Sequence, residues 1–190
     1  MSFSLSKDEK QFLLKLARKS IFTYLKNHKR DEEEYFSKNL KTPSGAFVTL
    51  HLQGALRGCI GYVKPHKPLQ DAIADLAISA AFSDPRFPAL SEDEYPDLDL
   101  EISVLTPLQK ISALSEIEIG RDGLVVKNGF NEGLLLPQVA TEYKWDAQTF
   151  IEQTCHKAGL PSEAWQEDKS EIFSFSAIIF DESQFAENGV

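Results

Sequence analysis

The hexapeptide LRGCIG, at residues 56–61, combines a thiol, a guanidinium group and two glycines within one short segment. A cysteine thiolate is a nucleophile, and a neighbouring cation favours the thiolate over the thiol. The guanidinium of Arg57 could also bind a carboxylate or phosphate through paired hydrogen bonds. Glycine inside a strand marks a bulge or a close backbone approach, so Gly58 and Gly61 would leave room beside Cys59. These residues predict a site for thiol chemistry or anion binding.

A purely structural interpretation of the same residues remains open. Free cysteine is among the most buried residue types and often fills a core. Arg57 could extend along apolar surface or pair with Glu101. Glu101 lies on the polar face of an otherwise apolar strand, which fits either an acid–base role or a solvated sheet face. The presence of one cysteine and one arginine does not decide between a structural role and a catalytic or binding role.

Two predicted strands form a hairpin around the hexapeptide. Alternating apolar residues predict strands over 46–52 and 56–62, and the residues between them favour a turn. A two-residue turn would mix the polar and apolar faces of the two strands. A three-residue loop, residues 53–55, avoids this because Leu52 then lies opposite Leu56.

That register determines the polar face of the hairpin. His51 would lie opposite Arg57 and Thr49 opposite Cys59, with directly opposed Cβ atoms roughly 5 Å apart. We therefore expect these four side chains to form one polar cluster, while Leu56 and the isoleucine of the hexapeptide pack into the core.

The remaining pattern predicts an α+β fold, in which a mixed or antiparallel sheet packs against helices. Ser6 and Glu9 form a capping box that starts a helix ending near Asn27. Pro68 and Asp146 are expected to start two more helices. Further strands are expected over residues 98–104, 123–127, 134–136 and 172–180.

Composition restricts the class of protein. The 190 residues are 42% hydrophobic and 26% charged, which is typical of a soluble globular protein. The net charge of -9 disfavours general nucleic-acid binding. No apolar run approaches the roughly 20 residues of a membrane-spanning helix, and the N-terminus lacks signal-peptide features, so we expect a cytoplasmic protein without membrane association. The two cysteines predict no disulfide framework, and no Cys or His spacing indicates a metal site.

Other polar residues are weaker candidates. Arg86 lies in a proline-rich loop and could position an anion or make ordinary loop contacts. Cys155 and His156 are adjacent on a predicted helix, so their side chains diverge, and Cys155 is expected in the core. Gln138 is predicted to follow a strand and to reach the same cleft as the hexapeptide.

Several segments, in order, resemble the AMMECR-one domain family, known in bacteria and archaea as AmmeMemoRadiSam system protein A. The intact hexapeptide is the hallmark of this resemblance. The other matching segments are GAFVTL at 45–50, AFSDPRF at 81–87, EISVL at 101–105 and LLPQVA at 135–140, together with Trp145. The resemblance covers residues 6–182, which are expected to form a single domain followed by a polar C-terminal tail, residues 183–190.

The resemblance implies a two-lobed fold, with a larger and a smaller lobe, and a functional site at the hexapeptide without naming a reaction or a cofactor. It also implies association with a Memo-like protein and a radical S-adenosylmethionine protein of the same system. We therefore expect a cytosolic enzyme or catalytic partner with Cys59 as the thiol, Arg57 as the anion binder and Glu101 as a proton carrier. The expected substrate-binding residues are Thr49, His51, Gly58, Gly61, Arg86 and Gln138.

The alternative is a non-catalytic adaptor module. The same cleft would then recognise a small anionic ligand or a peptide of a partner, and Cys59 would not react. The acidic composition would suit a basic partner.

Overall fold

The computed structural model describes residues 3–30 and 37–185. The chain forms two compact units, one made of the residues up to Leu105 together with those from Ile178 onward, the other of Thr106–Ala177. Each unit contains one four-stranded sheet. The combination of helices with antiparallel sheets confirms the α+β class.

In chain order the elements are α1 (Lys7–Asn27), α2 (Lys38–Lys41), β1 (Ala46–Leu52), β2 (Ala55–Tyr62), α3 (Leu69–Phe82), β3 (Leu98–Leu105), β4 (Gln109–Ile111), β5 (Gly123–Asn128), β6 (Asn131–Leu135), α4 (Pro137–Glu142), α5 (Ala147–Lys157), β7 (Ser170–Phe175) and β8 (Ala177–Asp181). The first sheet has the strand order β2-β1-β3-β8, and the second has the order β4-β7-β5-β6.

The first unit buries one face of its sheet under α1 and α3. The predicted capping box starts α1, because the Glu9 backbone N–H donates to Ser6 Oγ at 3.2 Å and the Ser6 N–H donates to the Glu9 carboxylate at 2.7 Å. Apolar side chains that alternate along β1 and β3 point to the helices and are fully buried, among them Val48, Leu50 and Ile102. The opposite sheet face is left to the polar residues of the same strands.

The second unit has its own core around α5. Asp146 caps this helix as predicted, since the Thr149 N–H donates to Asp146 Oδ1 at 2.8 Å. Phe150 and Cys155 are fully buried, which confirms the core position expected for Cys155. Burial raises the pKa of the Cys155 thiol, because a thiolate is disfavoured out of water.

One prediction about secondary structure is wrong. Residues 172–180 do not form one strand, because β7 and β8 belong to different sheets. The chain leaves β7 at Ser176, whose N–H donates to Thr106 Oγ1 at 2.9 Å. Gln138 follows strand β6 as predicted, and it lies in the short helix α4, which starts at Pro137, where the missing proline N–H costs no hydrogen bond.

Within the residues that the structure describes, no helix is both long and apolar enough to cross a lipid bilayer. The first residues of the predicted C-terminal tail belong to a short 3-10 helix, Glu182–Phe185, and the rest of that tail lies outside the described residues.

Candidate functional site

The turn of the hairpin is tighter than predicted. Leu52 pairs with Ala55, so the loop contains only Gln53 and Gly54. Their φ angles are 52° and 78°, in the left-handed region that a type I′ turn requires at both central positions. The expectation of a three-residue loop is therefore wrong.

A β-bulge at Arg57 keeps the polar and apolar faces of the hairpin separate, which the two-residue turn alone would not do. His51 pairs with Leu56 and Leu50 with Gly58, which leaves Arg57 as the extra residue on β2. The predicted pairing of His51 with Arg57 is wrong for this reason. Leu56, which was expected to pack into the core, lies on the turn side of the bulge and is 42% exposed.

Beyond the bulge, Thr49 lies opposite Cys59 as predicted, and its hydroxyl donates to Cys59 Sγ at 3.3 Å. The Cys59 backbone bonds outward, away from β1, so the two residues form a non-hydrogen-bonded pair, in which opposed side chains come closest. Glu101 lies opposite Thr49 on its other side. Cys59, Thr49 and Glu101 therefore form a row across three strands, and each is half-buried.

Arg57 belongs to a different, buried network. Its side chain is 9% exposed, and it donates from Nε to Glu94 Oε1 at 2.8 Å and from Nη2 to Glu94 Oε2 at 3.0 Å. The ring of Phe87 lies 5.9 Å from the guanidinium carbon. These hydrogen bonds lower the pKa of the Glu94 carboxyl to about 2. Arg57 therefore has Glu94 as its partner, and the pairing with Glu101 that was left open is not formed.

The loop after α3 covers the outer edge of β2 at Cys59. Asp84 accepts a hydrogen bond from the Cys59 N–H at 2.9 Å, and Arg86 Nη2 donates to the Cys59 carbonyl oxygen at 3.2 Å. The Arg86 guanidinium also bonds Asp84 and holds the pKa of that buried carboxyl well below its usual range. The Arg86 side chain is 53% exposed, so it presents a solvent-accessible guanidinium next to Cys59.

The two glycines of the hexapeptide permit close packing instead of leaving room beside the thiol. A Cβ on Gly58 would lie 2.2 Å from the carbonyl oxygen of Ala80 in α3. A Cβ on Gly61 would lie 2.2 Å from the ring of Phe47. The expectation of empty space beside Cys59 is therefore wrong, whereas the expected close backbone approach is confirmed at Gly58.

His51 lies further along the open face of the sheet, opposite Asp99. With Glu101 it lines a groove of about 400 Å³. The other lining residues are Gly54, Asp99, Leu100, Asp181, Glu182 and Ser183. Carboxylates dominate this lining, so the groove favours cationic groups over anions.

Of the predicted site residues, the structure brings Cys59, Thr49 and Glu101 together in one row, and it places Arg86 next to Cys59. Gln138 is exposed on α4 in the second unit. Asp84 and Glu94 are partners of the hexapeptide that were not predicted from the sequence. Asp84 lies in the matching segment 81–87 and could have been considered for that reason, whereas no sequence pattern indicates Glu94. Within residues 3–30 and 37–185, no group of three or more His, Cys, Asp or Glu residues is arranged to hold a metal ion.

Comparisons with known proteins agree with the resemblance seen in the sequence. The AMMECR1 family model matches residues 14–180. A protein of Methanothermobacter thermautotrophicus is 45% identical, over 94% of this chain and 96% of the relative. Protein PH0010 of Pyrococcus horikoshii is 42% identical, over 96% of this chain and 94% of the relative. The crystal structure of uncharacterized protein PH0010 matches with a TM-score of 0.72 and 41% identity, over 94% of both chains.

Proposed function

The chain belongs to the AMMECR1 family, and we propose that its sheet face around Cys59 is a small-molecule site in which the Cys59 thiol is the reacting group. The observation that carries the proposal is the hydrogen bond from the Thr49 hydroxyl to Cys59 Sγ, 3.3 Å long, on a half-buried face. A reactive cysteine needs an oriented sulfur that keeps access to solvent. Thr49 supplies the orientation, and the partial exposure of Cys59 supplies the access.

The neighbouring side chains take roles that follow from their positions. Arg86 binds an anionic group of the substrate, because its guanidinium, although bonded to Asp84, is 53% exposed, while that of Arg57 is buried against Glu94. Arg57 acts indirectly, by holding the bulge that precedes Cys59. Glu101 lies two strands from Cys59, about 10 Å at the usual strand spacing, and exchanges protons with the substrate and not with the thiol.

The reaction class that fits this arrangement is covalent group transfer through sulfur. The Cys59 thiol loses its proton to solvent, and the thiolate attacks an electrophilic carbon of the substrate. A sulfur–carbon bond forms as the bond from that carbon to the leaving group breaks, and the leaving group departs with the electron pair. An acceptor nucleophile then attacks the same carbon, the sulfur–carbon bond breaks, and Cys59 is released as the thiolate. The proposal extends to a cytosolic setting and to joint action with a Memo-like protein and a radical S-adenosylmethionine protein, which family resemblance suggests.

A second function, a binding module without chemistry, is favoured by the groove beside His51. Its lining includes four carboxylates, Asp99, Glu101, Asp181 and Glu182, but not Cys59. A ligand with a cationic group could bind there without any contribution from the thiol.

Cysteine labelling on the full chain tests the catalytic proposal. We expect iodoacetamide to modify Cys59 much faster than Cys155, because Cys155 is fully buried and its pKa is raised. Peptide mapping by mass spectrometry across pH 6–9, a range of about three units around an ordinary thiol pKa, gives both rates. A Cys59 rate no higher than that of glutathione at neutral pH would remove the main support for the nucleophile.

Two variants separate the catalytic from the binding function. Small molecules that co-purify with the full chain are identified by mass spectrometry after denaturation, and their retention is compared in Cys59→Ser and His51→Ala. A covalent adduct lost only in Cys59→Ser supports the thiol reaction. A non-covalent ligand that Cys59→Ser retains and His51→Ala loses supports the binding module.

A further inference from the structure

The turn after α3 places one carboxylate and one guanidinium at the outer edge of the Cys59 strand. The Phe87 N–H donates to the Asp84 carbonyl oxygen at 3.1 Å, which closes a β-turn with Pro85 at its second position. Asp84 Oδ1 also accepts from the Arg86 backbone N–H at 3.1 Å, a bond that aspartate often makes in turns. The local sequence therefore fixes the Arg86 backbone next to the Asp84 side chain.

The buried Asp84 carboxylate joins the Arg86 side chain to the Cys59 backbone. Its Oδ1 accepts from Arg86 Nε at 3.0 Å, and its Oδ2 accepts from Arg86 Nη2 at 2.7 Å and from the Cys59 N–H at 2.9 Å. The Arg86 guanidinium and these backbone N–H groups hold the pKa of the Asp84 carboxyl well below its usual range. Asp84 is therefore ionised at neutral pH, and it offsets the charge of Arg86.

The same guanidinium interacts with the Cys59 side chain. Arg86 Nη2 donates to the Cys59 carbonyl oxygen at 3.2 Å, so the cation lies beside this residue. The hydrogen bond to Asp84 raises the pKa of Arg86, and a negative charge on the Cys59 sulfur raises it further. Because the interaction of two charges is mutual, Arg86 in turn favours the thiolate of Cys59 over the thiol.

The strands beside Cys59 carry other polar side chains, whose charges are separate from the Asp84–Arg86 pair. On β1, β2 and β3 these are Thr49, His51, Arg57 and Glu101. Arg57 is buried against Glu94, so its charge is already compensated. Glu101 lies two strands away, about 10 Å at the usual strand spacing. Helix α3 approaches β2 through the backbone of Ala80, which carries no charge.

We propose that Asp84 and Arg86 control the ionisation of the Cys59 thiol as an opposed pair, in which the guanidinium favours the thiolate and the carboxylate offsets it. Asp84 is a positioning residue, because it acts on the thiol through the guanidinium that it holds and neutralises. The proton leaves the thiol for solvent, and the balance of the two charges sets the pH at which half of Cys59 is thiolate. This inference rests on the proposed function, since it concerns the same thiol, and it adds what controls the reactive form.

Carbon-13 NMR of the full chain measures this ionisation without any reagent. The chain is labelled at the cysteine Cβ, whose chemical shift follows the protonation of the thiol over about pH 6–11, and Cys59→Ser identifies the signal. Asp84→Asn leaves the guanidinium uncompensated and should lower the midpoint by about one pH unit. Arg86→Gln leaves the carboxylate uncompensated and should raise the midpoint by about one pH unit. The double variant, neutral at both positions, should return the midpoint close to that of the unmodified chain.

Arg121→Gln is the matched control. Arg121 is 53% exposed and bonds the buried Asp122, as Arg86 is 53% exposed and bonds the buried Asp84. This change should leave the midpoint unaltered. If the pair only holds the loop in place, both single variants shift the midpoint in the same direction and the double variant does not restore it, which overturns the proposal. An unchanged or lowered midpoint in Arg86→Gln also overturns it, and this half-exposed position decides the matter if Asp84→Asn does not fold.

The result can be separated from that of the proposed function. Opposite shifts in the two single variants, with a Cys59 alkylation rate no higher than that of glutathione, would support the pair and remove the nucleophile. Fast alkylation of Cys59 with unchanged midpoints would keep the nucleophile and overturn the control of its ionisation by the pair.

Discussion

The Arg57–Glu94 pair places a guanidinium almost fully out of solvent at the start of the Cys59 strand. Within the described residues, Arg57 Nη1 is buried without a hydrogen-bond partner. The charge therefore depends on the two hydrogen bonds to Glu94. A buried cation that loses its counter-charge is strongly destabilising, because it has already given up its hydration. At the residue scale, Glu94 is thus a structural support of the hexapeptide.

Glu94→Gln should lower the free energy of unfolding by about 2 kcal/mol, since Arg57 loses its counter-charge. Urea unfolding at neutral pH measures the change. Glu92→Gln is the matched control, because Glu92 is 61% exposed in its pair with Lys26 and such surface pairs contribute little. Equal losses in the two variants would contradict the structural role of the buried pair.

The contribution of the Arg57–Glu94 pair to the free energy of unfolding should decrease as the pH falls. The pKa of Glu94 falls from 4.5 to about 2 in the folded protein. Because the folded value is the lower one, the stabilisation is present above pH 4.5 and disappears as the pH falls toward 2. The acid-induced loss of stability should therefore be smaller in Glu94→Gln than in the unmodified chain. If the free energies of unfolding of Glu94→Gln and of the unmodified chain fell in parallel over this pH range, the lowered pKa of Glu94 would not be the cause.

At the scale of elements, the hairpin combines a tight turn with a bulge. The two-residue turn alone would place Leu50 opposite Arg57, and the bulge restores the core face by letting Leu50 pair with Gly58. The outer edge of β2 is covered at Cys59 by Asp84 and Arg86 side chains. Covering an edge in this way limits unwanted strand pairing.

Gln53→Asn should stabilise the chain by about 0.5 kcal/mol. Gln53 has a φ of 52°, and asparagine tolerates the left-handed region better than glutamine does. Gln53→Val should destabilise instead, because a β-branched residue is strained at positive φ. Thermal unfolding of the two variants checks the order. A valine variant as stable as the asparagine variant would argue against the type I′ turn.

At the scale of the whole molecule, the buried residues form two separate clusters, one in each unit. The two clusters share no residue, so we expect a cavity in one cluster to loosen mainly the packing of that cluster. The family match spans both units, from residue 14 to residue 180.

Phe150→Ala should cost about 3–5 kcal/mol, because Phe150 is fully buried in the second core. We expect amide hydrogen exchange to accelerate mainly in β5 and β7, and much less in β1 and β3. The reciprocal variant Ile102→Ala should reverse this pattern. Equal acceleration in both units would mean that they unfold as one cooperative body.

The sequence by itself determined the elements whose signals are local. The capping box of α1, the alternation of β1 and β3, and the Asp146 cap of α5 each depend on residues a few positions apart, so periodicity and side-chain chemistry suffice to predict them. The pairing of Thr49 with Cys59 was predicted correctly although the turn was not, because the bulge adds the residue that the shorter turn removes. The separation of β7 from β8 was not predictable from the apolar pattern, which continues through the break.

Only the tertiary structure decided what surrounds the hexapeptide. Arg57 pairs with Glu94, 37 positions away, and Arg86 reaches the Cys59 carbonyl from 27 positions away. These contacts depend on how α3 and the loop after it pack on β2, and no local pattern encodes that packing. The sequence identified Cys59 as a candidate reactive residue, and the fold decided that the exposed guanidinium beside it belongs to Arg86 and not to Arg57. The physical reason is that Arg57 is the extra residue of the bulge, so its side chain is directed to Glu94, whereas the loop after α3 brings Arg86 to Cys59.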